Sequence, residues 1–229
     1  MTTKPLEGTS NPTPKSLVDD RLKPTAEMHI LVGGPYTDSS GEEHRYGHTA
    51  LRIKTSNYDL TYDFGRYGRV TGTFSESGDG ILRVWNSFNP YISGEIALNR
   101  KTTGFVYFIF DSQANQVKDY FDLKISTGTE ISGKSSGVKK VYKLSVDYHA
   151  LGPNCTTLSL DGARQAVPRI DEGSNSFNKP EDVLTRSERA ALWAKGGSTR
   201  LFLPANLQTF LYAGKPIRVD KVVNYPSGE

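Results

Sequence analysis

Short apolar runs bounded by turn residues dominate the first half of the chain. Residues 28–32 predict a strand, closed by Gly33-Gly34-Pro35. Residues 48–54 and 58–64 predict a hairpin turning near Ser56-Asn57, followed by the glycine-rich loop Gly65-Arg66-Tyr67-Gly68-Arg69. Residues 81–85 form another strand pattern. Residues 103–110 are almost continuously aromatic or β-branched, as in a central strand covered on both faces. The period then changes. Ala114, Val117, Phe121 and Ile125 fall on one helical face, with Asp111 or Ser112 placed to cap the helix. Residues 138–146 return to strand alternation. After Gly152-Pro153-Asn154, residues 156–166 read as a helix whose Leu158, Gly162 and Ala166 share a side, so that close packing on a sheet is expected. Thr185-Arg186-Ser187-Glu188 is a capping box opening a short helix, ended by Gly196-Gly197. A late segment begins at Leu201-Phe202-Leu203-Pro204, and residues 217–223 predict a last strand. Strands thus outnumber helices by about two to one, and the expected class is α+β around an antiparallel sheet.

Composition narrows this picture. Residues 1–26 carry Pro5, Pro12, Pro14 and Pro24 among polar residues and are expected to be a flexible leader. Residues 27–229 are expected to form one catalytic domain, with a core over about 28–166 and an extension over 167–229. A net charge of +3 without a concentrated basic run argues against a nucleic-acid partner. No run approaches the ~18 apolar residues of a membrane span, so no stable membrane insertion is expected. The N-terminal sequence lacks an apolar stretch of signal-peptide length, which predicts synthesis in the cytoplasm and export by a route other than a cleaved signal.

The chain has 1 cysteine, so its thiol cannot close an intrachain disulfide. Cys155 follows Gly-Pro-Asn at a helix start, where free N–H groups and the helix dipole favour a thiolate. A free cysteine is most often a small buried apolar residue; the turn before it and Thr156-Thr157 after it favour a nucleophile instead. Of the 4 histidines, His29 sits in an apolar strand and His44 in a polar loop, while His149 stays in the turn near Cys155. His48, at the head of a well-formed strand after Gly47, is the expected base. Folding the hairpin about Ser56-Asn57 is expected to bring Asp63 roughly level with His48, where its carboxylate would orient the imidazole. The bland alternative is a strand-end carboxylate paired with Arg66 or Arg69. His44 and His48 have a zinc-like spacing, but Gly47 argues against a helix there and no HExxH pattern is present, so no metal and no cofactor are expected.

A strand beginning Gly-His-Thr-Ala-Leu-Arg-Ile, then Tyr-Asp-Phe-Gly-Arg-Tyr-Gly, and later Asn-Cys-Thr-Thr at a helix start resembles the permuted branch of the NlpC/P60 papain-like hydrolases. The likeness covers roughly residues 28–166, with histidine before cysteine. It implies a papain-like fold, a central antiparallel sheet with a nucleophile-bearing helix packed on it, and a cysteine hydrolase of amide bonds. Cys155 would match the nucleophile, His48 the base and Asp63 the polar third residue; Tyr46 and Asn154, beside matched positions, would line the substrate pocket. In bacterial members the substrate is the peptide stem of peptidoglycan. Members without a signal peptide resemble antibacterial type VI secretion effectors, delivered on a secretion-spike carrier to a target's periplasm and neutralised at home by an immunity protein. Residues beyond 166 have no match in that pattern and would cover the cleft or bind a partner. Three alternatives stay open: an acyltransferase or isopeptidase of the same group, a non-catalytic β-rich binding module with Cys155 merely buried, and an inactive papain-like scaffold.

Overall fold

The computed structural model describes residues 23–38, 41, 43–72, 77–194 and 196–227. The expected leader lies outside the described residues up to position 22. Its far end does not stay loose, because Ala26 is buried and already belongs to the first strand.

Eight strands form one antiparallel sheet: β1 (Ala26–Gly33), β2 (His48–Lys54), β3 (Asp59–Gly65), β4 (Ile81–Trp85), β5 (Thr102–Ile109), β6 (Thr129–Glu130), β7 (Lys139–Lys143) and β8 (Lys221–Tyr225). Their order across the sheet is β6-β7-β4-β3-β2-β1-β5-β8, so β3 and β2 lie in the middle with β1 beside β2. The helices are α1 (Phe88–Ala97), α2 (Asp111–Ser126), α3 (Cys155–Ala166), α4 (Arg186–Ala194) and α5 (Pro204–Ala213).

Alternation along β1 assigns the two faces. Met28, Ile30 and Val32 point into the main core with Leu51 and Ile53 of β2, Phe105 and Tyr107 of β5, and the apolar sides of α2, α3 and α5. Leu31 and Ala50 point the other way, against Phe88, Tyr91 and Ile92 of α1. Each large side chain buried in this way stabilises the fold by about 1.5–3 kcal/mol. Helix α3 lies close on the sheet because Gly162 has no side chain: a Cβ there would come within 2.6 Å of the Phe121 ring and 2.9 Å of Leu51.

Several expectations change. The segment between β4 and β5 holds α1, and the segment after Leu203 holds α5. Neither Asp111 nor Ser112 caps α2; the N-cap is Phe110, whose N–H donates to the Gln113 side chain at 2.9 Å. The last strand starts at Lys221, later than its apolar residues predict. Residues beyond 166 are not an appendage. Strand β8 pairs with β5 in the main sheet, and Leu207, Phe210 and Leu211 of α5 enter the main core.

Candidate active site

The site forms at the end of the central strands where Gly33 faces His48. Cys155 is the first residue of α3. Its N-cap, Asn154, is buried and fully committed. The Asn154 Oδ1 accepts from Thr157 N at 2.9 Å, and its Nδ2 donates to Ala150 O at 2.8 Å and Phe202 O at 3.1 Å. In return the Asn154 N–H donates to Thr157 Oγ1 at 2.9 Å. This reciprocal cap starts the helix exactly one residue after Asn154 and leaves the N–H groups of Cys155 and Thr156 without an intrahelical acceptor.

His48 arrives from β2. Gly47 before it takes φ +71, and a Cβ at Gly47 would lie 2.5 Å from Gly33 O, so only glycine brings the chain into β2 this close to β1. The ladder between β2 and β3 runs from Lys54↔Asp59 to Leu51↔Tyr62. Continued in that register, Asp63 faces Ala50 rather than His48, so the expectation that the pair stands level is corrected. Asp63 shares a face with His48 but reaches it on the diagonal. The Asp63 Oδ1 receives His48 Nε2 at 2.7 Å. With Nε2 so occupied, Nδ1 is the ring nitrogen left to face the Cys155 thiol, and the two groups are near enough for each to shift the other's charge state.

Asp63 is fully buried and paired with neither Arg66 nor Arg69. Arg83, opposite it on β4, donates through Nε to Oδ2 at 2.7 Å and through Nη2 to the same oxygen. The Tyr67 hydroxyl donates to Oδ1 at 2.8 Å and lies 3.3 Å from His48 Nε2. Its ring lies over the Arg83 guanidinium at 3.6 Å. Gly65 makes this possible, since a Cβ there would meet the Tyr67 ring at 2.7 Å. The sulfur has further neighbours. Thr49, Thr156 and Tyr148 lie near enough to the thiol to influence its charge state. Thr49 Oγ1 in turn lies 3.1 Å from Thr156 Oγ1.

These contacts set the charge states. Burial opposes the charged form of His48, but the Asp63 charge and hydrogen bond, reinforced by Cys155, outweigh it and push the imidazole up to about 10. Burial likewise raises the Cys155 thiol, and the His48 hydrogen bond and charge overcome this and lower it. Asp63 is held far below the ordinary carboxylate range, burial notwithstanding, by Arg83 and His48. Burial and the neighbouring sulfur keep Tyr148 a neutral phenol, hence a donor. Both central shifts favour imidazolium beside thiolate.

The group opens onto a cavity of about 650 Å³. Cys155 is 6% exposed and lies in its wall. Tyr46 and Asn154 also line it, as expected, but their polar groups are spent. The Asn154 amide serves the cap, and the Tyr46 hydroxyl donates to Glu188 of α4, which also pairs with Arg45. The segment beyond residue 166 supplies one side of the cavity through Leu184, Glu188, Leu192 and Phe202. Of the other histidines, His29 bonds Glu27 at 2.7 Å, His44 stacks on Tyr36, and His149 accepts from Leu151 N at 3.1 Å.

Three contributors were not anticipated: Arg83, Tyr67 and Tyr148. Arg83 had a findable signal, since pairing β3 with β4 puts opposite charges face to face. Tyr67 comes from a loop and Tyr148 from the two-residue strand Tyr148–His149, and no periodicity encodes the course of either. The chain matches no family model, no curated protein and no solved structure. Its chemistry is therefore read from this geometry.

Proposed function

We propose that this chain is a cysteine hydrolase of amide bonds with a permuted, papain-like NlpC/P60 arrangement, acting on the peptide stems of peptidoglycan as an antibacterial type VI secretion effector. The observation that carries the hydrolase reading is one connected array, Cys155–His48–Asp63, at a helix start and beside an open cavity. The wall substrate, the spike carrier, the immunity protein and delivery to a target periplasm follow from the motif resemblance alone.

In this reading the Cys155 thiolate attacks the peptide carbonyl, and the Cys155 N–H supports the oxyanion. Losing one such donor costs about 10²–10³ in turnover. The His48 proton passes to the departing amine, leaving a thioester. Water then adds to the thioester while His48 takes up its proton. The thiolate leaves and a carboxylate product remains. Asp63 holds the imidazole and its charge throughout.

The test is digestion of purified peptidoglycan with products followed by mass spectrometry. Cys155→Ala is expected to keep the fold and lose at least about 10³ in turnover, as removal of a nucleophile does. Full activity in Cys155→Ala would overturn the mechanism.

A further inference from the structure

The charges around the cavity are nearly all matched. His48 and Arg83 are balanced by Asp63 and the Cys155 sulfur. Arg100 pairs with Glu95 at 2.6 Å, Glu188 with Arg45, and His44 with Asp38 at 3.2 Å. Arg66 is different. It lines the cavity, it is half-buried, and among the described residues it has no carboxylate or hydrogen-bond partner. Its guanidinium lies over the face of the Tyr148 ring, 5.8 Å from guanidinium carbon to ring centroid. A guanidinium over an aromatic face keeps its planar fork of N–H donors free for a bidentate anion.

The same Tyr148 lines the cavity beside Cys155 and is close enough to be influenced by its charge. One side chain therefore spans the space between cation and nucleophile. A stacking distance at right angles to a ring's half-length plus one further contact to the sulfur puts them on the order of 8 Å apart, roughly two residues of extended peptide.

We propose that Arg66 binds a carboxylate of the substrate, borne within roughly two residues of the bond that Cys155 attacks. The substrate class is then an anionic peptide, which deepens the hydrolase reading above and rests on it. A free carboxylate matches the Arg66 charge, which is unmatched among the described residues; a carboxamide at that place leaves the guanidinium unpaired.

Two measurements test this, one without turnover. The first compares a wall stem peptide carrying free carboxylates with the same peptide converted to carboxamides. Wild type is expected to prefer the carboxylate form by about tenfold in kcat/KM, chiefly through KM, the size of one charge-assisted hydrogen bond. Arg66→Gln loses the preference, Arg66→Lys keeps part of it, and Arg69→Gln, on the exposed neighbour, keeps all of it. The second measures alkylation of Cys155 by iodoacetate and by iodoacetamide. The anion-to-neutral rate ratio is expected to fall at least about threefold in Arg66→Gln and to hold in Arg69→Gln. Equal cleavage of the two peptides by wild type overturns the anion site while leaving the hydrolase standing. An unchanged alkylation ratio in Arg66→Gln also overturns it, whether or not any peptide is cut. A reduced ratio with neither peptide cut supports the anion site and counts against the wall-hydrolase reading.

Discussion

Asp63 does two jobs with two oxygens. Oδ1 takes His48 and Tyr67, and Oδ2 takes Arg83, so four alternating charges run from sulfur to guanidinium through buried space. The pH consequences follow from the direction of each shift. His48 is raised to about 10, so its stabilising contribution is complete below its unfolded value of 6.5 and disappears as pH climbs through about 10. Asp63 is lowered, so its contribution is present above 3.8 and fades as pH falls toward its depressed native value. In the rate profile of the proposed hydrolase, the acid limb belongs to Cys155, displaced below 9.0, and the alkaline limb to His48 near 10. Asp63→Asn removes the charge that raises the imidazole. Its alkaline limb is expected to move to lower pH by at least about one unit, measured as kcat/KM against pH. The same change leaves buried His48 and half-buried Arg83 without their anion and is expected to cost about 3–5 kcal/mol in denaturant unfolding. An alkaline limb that stays in place would show that Asp63 does not set the His48 charge. Cys155 and His48 were legible from residue type and local context. The diagonal placement of Asp63 was not, because a hairpin's exact register depends on how the turn is bonded; here Thr55 Oγ1 accepts from both Asn57 N and Tyr58 N.

At the scale of elements, the start of α3 matters most. Asn154 caps the helix and ties its first turn to Ala150 and Phe202. Asn154→Ala removes a cap worth about 1 kcal/mol and strips two carbonyls of their donor, so a loss of roughly 2–4 kcal/mol is expected by thermal or denaturant unfolding. Alkylation of Cys155 should slow in the same variant, because the N–H groups and dipole that favour the thiolate lose their fixed geometry. Unchanged stability would mean that the cap is not what holds the first turn. The elements with clean periodicity, namely β1, the β2–β3 hairpin, β5, α2 and α3, could be read directly from the chain. Helix α1 could not: Phe-Asn-Pro-Tyr-Ile-Ser-Gly-Glu-Ile-Ala contains Pro90 and Gly94, both signals against a helix interior, and tertiary packing of Phe88, Tyr91 and Ile92 overrides them. Helix α5 was hidden similarly, because Pro204 reads as a stop yet occupies its first turn, where proline is tolerated.

At the scale of the molecule, the C-terminal third completes both the core and the cavity. Leu207, Phe210 and Leu211 bury their side chains in the main cluster, and β8 adds an edge to the sheet. Deleting residues 204–227 removes at least three side chains worth about 1.5–3 kcal/mol each, against a total stability of about 5–15 kcal/mol for a typical domain. The shortened chain is expected to lose cooperative unfolding and near-ultraviolet circular dichroism; a sharp native-like transition would show that the rest of the sheet suffices.

The direction of the first strand separates the start of the sheet from the site. Strand β1 enters at Ala26 and finishes at Gly33 beside His48, eight residues and roughly 25 Å along the sheet. The buried start of the strand at Ala26 therefore lies at the end of the sheet remote from Cys155, so that the ordering of the first strand and the chemistry of the thiol belong to opposite ends of one ladder.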